Sequence, residues 1–278
     1  MTKWLAALPL AHVRADNWYL WISLCALAVA LIAFYMRKLP FRWGVLSLAA
    51  VVAVCTVFGV AEAGKTGQLS VFGADGAAVA ALHTEEGTLL LNCGRDSARS
   101  ARTLDQALFA SGIAEAELLV TKNDEKTAGG LARLRATIPL SAVYRPEGDE
   151  MPYEIATQTY CDGGTLARSG AAVELLHAGD AYATRIFAGE RTVLFLCGVR
   201  PIDFFVDAAG RDTAADVLVI DGAYYRSRAA MERLSAMTGA QRALCADDGF
   251  ESLPAKKGGV SLFSLSEAGT INYLFRTR

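Results

Sequence analysis

The chain has 278 residues and a formal net charge of −2, and 53% of its residues are hydrophobic. This apolar content excludes a disordered chain, and 6 cysteines are too few for a small disulfide scaffold. The mean hydropathy is +0.28, a positive value that indicates that part of the chain faces lipid.

Two uncharged apolar runs lie close together near the N-terminus, from Trp18 to Met36 and from Trp43 to Ala61. As helices rising about 1.5 Å per residue, each nearly crosses a hydrocarbon core of ~30 Å. A cleaved signal peptide is the alternative, but a second run follows the first after a short link. The sequence predicts an N-terminal segment (1–17), a transmembrane helical hairpin (18–63) and a soluble domain (64–278).

The connector Arg37–Arg42 between the two runs carries three basic residues and a helix-breaking proline, Pro40. The positive-inside rule places this connector in the cytoplasm and both termini outside. We therefore expect a two-helix protein of the cell membrane, with the lipid bilayer as a partner and an extracytoplasmic soluble domain. Acidic residues outnumber basic ones after residue 63, which is not typical of a generic polyanion binder.

The soluble part alternates short apolar runs with helical patterns. The predicted strands are bounded by Gly, Asp or Asn. They are Gln68–Phe72, Ala78–His83, Thr88–Asn92, Leu118–Thr121, Ala172–His177, Ala183–Phe187, Thr192–Cys197, Asp216–Ile220, Arg242–Ala246, Val260–Leu265 and Thr270–Phe275. Helical spacing appears in Thr103–Ser111, Ala128–Ala136 and Arg228–Met237, whereas Tyr144–Thr165 is rich in Pro and Gly and is predicted as a loop. The pattern predicts two sheets with helices outside, an α/β sandwich.

The order of these landmarks resembles the C-terminal metallo-β-lactamase-fold domain of the ComEC competence proteins, which pass DNA into transformable bacteria. Five segments carry the resemblance: the opening hairpin Gln68–Gly94, the segment Gly112–Thr121 followed by Gly129, Gly130 and Leu131, and then Leu194–Gly198, Ala215–Ile220 and Ala268–Ile271. The resemblance covers nearly all of residues 64–278. It implies a metallo-β-lactamase-like αββα sandwich, a role in DNA uptake and a polytopic channel partner, because two helices cannot form a pore.

The metal-binding positions that the resemblance implies are changed in this chain. Against the family's metal loop, Lys122 replaces the first His, Lys126 the Asp and Thr127 the last His, so only Asp124 could still ligate. A later Asp position is Val199, and the family's His-His-Gly turn starts here with Asp221 and Gly222. In the opening strand, Asn92 stands for the usual Asp. We expect a domain without a metal cofactor and without catalytic residues.

The residues support this expectation independently of any family. A catalytic zinc site needs about three converging His, Cys or carboxylate ligands. The chain has only 3 His, of which His12 precedes the apolar runs and His83 and His177 fall in predicted strands. Structural roles in strands are the expected roles for the latter two.

Four basic residues near the changed loop, Lys122, Lys126, Arg133 and Arg135, could form a phosphate-binding lip. The alternative is a solvated loop whose cations pair with Asp124 and Glu125. Tyr224 and Tyr225 either offer stacking surfaces to bases or pack in the core. A disulfide between two of the cysteines of the soluble part also stays open; these are Cys93, Cys161, Cys197 and Cys245.

Three functions therefore remain. The first is an accessory role in DNA binding and uptake. The second is a membrane-tethered pseudoenzyme that docks proteins, which the acidic balance of the soluble part favours. The third is a hydrolase or nuclease with an unrecognised site.

Overall fold

The computed structural model describes residues 66–146, 157–249 and 253–276, together with 49–55 and the six positions 22, 25, 26, 28, 29 and 32. The chain divides into two compact units, Met1–Thr66 and Gly67–Arg278. The described positions of the first unit are helical except Thr66, which begins the first strand. Among the described residues, no helix is both long and apolar enough to cross a bilayer. Most of the two runs assigned to the transmembrane hairpin lies outside the described residues.

The second unit contains two mixed β-sheets. The first sheet has seven strands in the order β15-β1-β2-β3-β4-β5-β6. Its strands are β1 (Thr66–Ala74), β2 (Ala77–Thr84), β3 (Gly87–Leu91), β4 (Ala116–Leu119), β5 (Leu140–Pro146), β6 (Thr157–Tyr160) and β15 (Thr270–Arg276). The parallel strands β3, β4 and β5 place their carboxyl ends at one end of this sheet.

The second sheet has eight strands in the order β13-β14-β12-β11-β10-β9-β8-β7. Its strands are β7 (Thr165–Arg168), β8 (Ala171–Ala178), β9 (Ala181–Ala188), β10 (Arg191–Phe195), β11 (Val217–Asp221), β12 (Arg242–Ala246), β13 (Lys256–Lys257) and β14 (Val260–Ser264). Here β10, β11, β12 and β14 run parallel.

Six helices of the second unit are described. They are α1 (Ala98–Ala110), α2 (Leu131–Thr137), α3 (Pro201–Asp207), α4 (Gly222–Tyr225), α5 (Arg228–Thr238) and α6 (Leu265–Ala268). The hydroxyl of Ser97 caps α1 and that of Ser227 caps α5, each accepting a hydrogen bond from a backbone N–H of the first turn. Helix α5 ends at Gly239, whose φ of +71° is the left-handed conformation typical of a helix C-terminus.

Three buried clusters show that the unit has four layers. Side chains alternate along each strand, so Leu69 and Val71 of β1 face the second sheet in the central cluster, whereas Phe72 joins the cluster under α1 and α2. On the opposite side, Leu194 and Leu218 pack with residues of α3, α4 and α5. The described chain is thus an α/β sandwich of two sheets with helices outside, as the sequence predicts.

The structure corrects several details. The stretch Tyr144–Thr165, predicted as a loop, contains the end of β5, all of β6 and the first residue of β7. Helix α3 and strand β13 were not predicted. The cysteines left open for disulfide pairing, Cys93, Cys161, Cys197 and Cys245, are all free thiols.

Candidate functional site at the carboxyl ends of the strands

The loops that follow β3, β4, β10, β11 and β12 lie at one end of the sandwich, where the carboxyl ends of the parallel strands meet. In open α/β sheets this is the usual place for ligand sites. A close approach joins the two sheets here, because a Cβ atom added to Gly198, after β10, would lie 2.8 Å from the Cγ2 atom of Thr127, after β4.

The loop after β4 is closed by its own side chains. The Oδ1 atom of Asp124 accepts hydrogen bonds from the backbone N–H groups of Lys126 (3.0 Å) and Thr127 (2.9 Å). The hydroxyl of Thr127 lies 2.9 Å from the same oxygen and also contacts the carbonyl of Lys122. The carbonyl of Thr127 accepts a 2.8 Å hydrogen bond from the N–H of Cys93. Asp124, the one ligand position of the resemblance that keeps a potential ligand in this loop, therefore holds the loop together.

Asn92 fixes the start of this loop from the end of β3. It is fully buried and has a φ of +62°, which asparagine tolerates better than most residues. Its Oδ1 atom accepts hydrogen bonds from the N–H (2.9 Å) and the hydroxyl (3.0 Å) of Thr121. Its Nδ2 atom is buried and has no hydrogen-bond partner among the residues that the structure describes.

The second sheet contributes Asp221 at the end of β11. This carboxylate is 5% exposed and caps helix α4 by accepting a 3.0 Å hydrogen bond from the N–H of Ala223. Its other oxygen accepts a 3.2 Å hydrogen bond from the N–H of Gly198. Asp221 therefore ties the loop after β10 to the start of α4.

The four residues of the predicted phosphate-binding lip have different surroundings. The Nζ atom of Lys122 lies 2.9 Å from a carboxylate oxygen of Asp180 and 3.9 Å from one of Asp124. Arg133 lies 3.7 Å from a carboxylate oxygen of Asp96. Lys126, Arg133 and Arg135 are exposed. Lys122 and Arg133 thus each lie near a carboxylate, while Lys126 and Arg135 are exposed.

The remaining predicted positions do not line a common cavity. Val199 is buried in the cluster beneath α3 and α5, and Gly222 begins α4. The ring of His83 lies 2.8 Å from the hydroxyl of its cross-strand neighbour Thr88. His177 lies 3.5 Å from Asp207.

Three groups near the site whose roles the sequence left open, Cys197, Cys245 and Tyr224, are buried in the second sheet and its helices. Burial, reinforced by Asp221, raises the pKa of Cys197 well above its usual range. Burial raises the pKa of Cys245 to about 12. Burial also raises the pKa of Tyr224, whose hydroxyl has no hydrogen-bond partner within the described parts of the chain. Both thiols are therefore protonated at neutral pH and are poor nucleophiles or metal ligands.

One buried group that the sequence analysis did not single out is the carboxylate of Asp247, which follows β12 and is 3% exposed. Its oxygens accept hydrogen bonds from the hydroxyls of Ser264 (2.9 and 3.0 Å) and Ser266 (2.6 Å). Burial favours the neutral acid, but these hydrogen bonds outweigh it and hold the pKa of Asp247 below its ordinary value. Asp247 joins β12 to the junction of β14 and α6.

A zinc site of the metallo-β-lactamase kind does not fit these residues. Asp124 and Asp221 already accept hydrogen bonds from their own loops, and the ammonium group of Lys122 lies beside Asp124. Within the parts of the chain that the structure describes, no three His, Cys, Asp or Glu residues form a group that could hold a metal ion. The site as built holds the loops of two sheets together.

No protein-family model matches the chain, and no curated protein matches it. Solved structures that resemble it include the metallo-β-lactamase-fold protein YhfI from Bacillus subtilis (18% identity, 64% of this chain and 85% of that one, TM-score 0.47). Zn²⁺-bound PqqB from Methylobacterium extorquens is 21% identical over 56% of this chain and 70% of that one, with a TM-score of 0.41. CmlA, a diiron β-hydroxylase from Streptomyces venezuelae, is 13% identical over 76% of this chain and 54% of that one, with a TM-score of 0.49.

These likenesses concern the fold, and no activity is carried over from them. The chain is an α/β two-sheet sandwich whose structural neighbours are metallo-β-lactamase-fold proteins.

Proposed function

We propose that this chain is a membrane-tethered, metal-free metallo-β-lactamase-like domain with an accessory role in DNA binding and uptake, of the kind the ComEC resemblance implies. The proposal that the domain holds no metal rests on the hydrogen bonds that Asp124 accepts within its own loop. Its Oδ1 atom accepts two backbone hydrogen bonds and lies beside the hydroxyl of Thr127, so it is occupied within its own loop. The role in DNA uptake rests on the order of the sequence landmarks in residues 64–278.

Membrane tethering is part of the same proposal. The two uncharged runs support it, and so does the exposure of apolar helical residues within them. Val29 is 65% exposed, Ile32 60% and Val54 54%. In this arrangement the connector Arg37–Arg42 lies in the cytoplasm, and a polytopic channel protein supplies the pore. In a chain with Cys161→Ser, which lacks the exposed thiol of the soluble domain, maleimide labelling of a cysteine placed at Phe41 should then fail in intact cells and succeed after permeabilisation.

A protein-docking module is the second candidate, and two observations favour it. The pairing of Lys122 with Asp180 removes one cation from the predicted phosphate-binding lip. Ile202 and Val206, one turn apart on α3, are 70% and 65% exposed. A pair of exposed apolar side chains on one helix is more typical of a contact surface than of solvent-facing structure.

DNA binding by the full chain tests the proposal. The chain is placed in nanodiscs of zwitterionic lipid and titrated with fluorescent DNA at two salt concentrations. We expect binding that weakens steeply with salt, because phosphate contacts release counterions. The same samples are examined for shortened DNA. No binding at low salt would leave the docking module as the better function, and cleavage of the DNA would favour the hydrolase instead.

A further inference from the structure

The open edge of the sandwich beside β15 carries two arginines and two aromatic residues, at the end opposite to the site above. Arg191 begins β10 and Arg242 begins β12, while Tyr273 belongs to β15 and Phe263 to β14. We call these four residues the arginine–aromatic edge.

Tyr273 interacts with both arginines. The guanidinium carbon of Arg191 is 5.6 Å from the centre of the Tyr273 ring, a cation–π distance. Burial raises the pKa of Tyr273, and the positive charges of both Arg191 and Arg242 oppose that rise, so both cations act on its hydroxyl. The ring is partly buried against the central core, which holds it in place.

Strand register places Phe263 next to Arg242. Leu244 of β12 pairs with Phe263, and Arg242 pairs with Ser261 two residues away. Side chains two apart on a strand share a face, so Arg242 and Phe263 are diagonal neighbours on the side that faces the first sheet. Phe263 is 46% exposed although it lies on that side, because the first sheet ends at β15.

Neither arginine is neutralised by a carboxylate. Within the described residues, the guanidinium groups of Arg191 and Arg242 form no hydrogen bond and no ion pair. Glu190 precedes Arg191 in the chain, and Asp216 precedes Val217, the strand partner of Arg242. Asp216 accepts a 2.8 Å hydrogen bond from the backbone N–H of Thr192. Two exposed cations thus stay unpaired in a part of the chain that is acidic as a whole.

We propose that the arginine–aromatic edge binds single-stranded DNA, with Arg191 and Arg242 contacting phosphates and Tyr273 and Phe263 stacking on bases. Cations interleaved with partly exposed aromatic rings are the arrangement that single-strand binding uses. Bases of a duplex are already stacked on each other and cannot use these rings. The inference rests on the proposed function, since it names where that DNA binds.

Four variants of the full chain in zwitterionic nanodiscs test the proposal, with a fluorescent oligothymidine and a hairpin duplex as probes. Arg191→Gln combined with Arg242→Gln should weaken oligothymidine binding at least tenfold and reduce the slope of log K against log salt by about 1.4, the value for two single-strand phosphate contacts. Phe263→Ala should weaken it roughly fivefold or more. Tyr273→Phe keeps the aromatic ring and should change the affinity for oligothymidine less than twofold. Arg102→Gln combined with Arg228→Gln, two exposed arginines of the outer helices, is the matched control and should leave oligothymidine binding unchanged.

The outcomes distinguish a failure of the proposed binding site from a failure of the proposed function. If the wild-type chain binds DNA and the edge variants bind equally well, or if the control variant loses binding just as strongly, the assignment of binding to the arginine–aromatic edge is wrong and the proposed function stands. Equal affinity for hairpin and oligothymidine, with no effect of Phe263→Ala, overturns the single-strand assignment. If the wild-type chain binds neither probe, both proposals fall. Thermal unfolding of each variant verifies that a loss of binding does not come from a loss of fold.

Discussion

The ammonium group of Lys122 lies 2.9 Å from the carboxylate of Asp180, and this ion pair joins the loop after β4 to the turn between β8 and β9. The first element belongs to one sheet and the second to the other. The backbone follows the same path, because the carbonyl of Thr121 accepts a 3.0 Å hydrogen bond from the N–H of Tyr182. A lysine that the resemblance aligns with a metal ligand therefore acts as a link between sheets.

The first prediction concerns how much the ion pair between Lys122 and Asp180 contributes to stability. Lys122 and Asp180 have side chains that are 21% and 58% exposed, and water screens such pairs. A double-mutant cycle with Lys122→Met and Asp180→Asn should give a coupling of about 0.2–1 kcal/mol in the free energy of unfolding. The exposed Lys126→Met serves as the control and should show no coupling to Asp180→Asn. A coupling of zero for the first pair would show that the link adds no stability.

The second prediction concerns acid stability. Asp162 accepts two 2.6 Å hydrogen bonds from Arg211, which lower its pKa from 3.8 to about 2. Because the pKa is lower in the folded chain, the stabilisation is present above pH 3.8 and is lost as the pH falls toward 2. Asp162→Asn should therefore flatten the decline in unfolding free energy over this range.

The size of that effect is limited, because the side chain of Asp162 is 37% exposed. We expect less than about 1 kcal/mol. Urea unfolding at a series of pH values measures it, with the exposed Glu86→Gln as a matched control of the same charge change. An identical decline for Asp162→Asn and wild type would contradict the assigned role of the Arg211 pair.

The third prediction concerns metal. A ligand present at a hundred times its dissociation constant stabilises the folded state by about 2.7 kcal/mol, which is a shift of several degrees in Tm for a domain of this size. Because Asp124 and Asp221 are already hydrogen-bonded within their loops, addition of zinc and removal by a chelator should leave Tm unchanged. Bound zinc after gel filtration, measured by atomic absorption, should be far below one equivalent. A stoichiometric metal with a Tm that falls on chelation would refute the metal-free assignment.

Thiol accessibility is the fourth prediction. Cys161 is exposed, whereas burial raises the pKa of Cys93 to about 12 and that of Cys197 well above its usual range. In a chain with Cys25→Ala and Cys55→Ala, a maleimide at neutral pH should therefore modify one site rapidly. Mass spectrometry should locate it at Cys161, with the other cysteines modified only in denaturant. Cys161→Ser should remove the rapid phase, and rapid labelling of Cys197 would contradict the buried arrangement.

The sequence predicted the bounds of helices and strands correctly where the local apolar pattern matches the burial of the residues. Strand β12 has the predicted bounds Arg242–Ala246, since this short apolar run has turn residues on both sides. Helix α5 begins at the predicted Arg228 because Ser227 caps it. By contrast α3 presents Ile202 and Val206 to solvent, so its apolar residues do not follow a single buried face. Strand β6 follows a segment rich in Pro and Gly and was absorbed into a predicted loop.

The sequence by itself determined which side chains were available at the changed site. It showed Lys122 and Thr127 where the resemblance implies ligands, and too few histidines for zinc. Only the tertiary structure decided what those side chains do, because their partners come from distant strands. Asp180 reaches Lys122, and Gly198 reaches Thr127, only after the two sheets pack face to face. Alternation along a strand is a local property that sequence records, whereas contacts between sheets depend on how the whole chain folds.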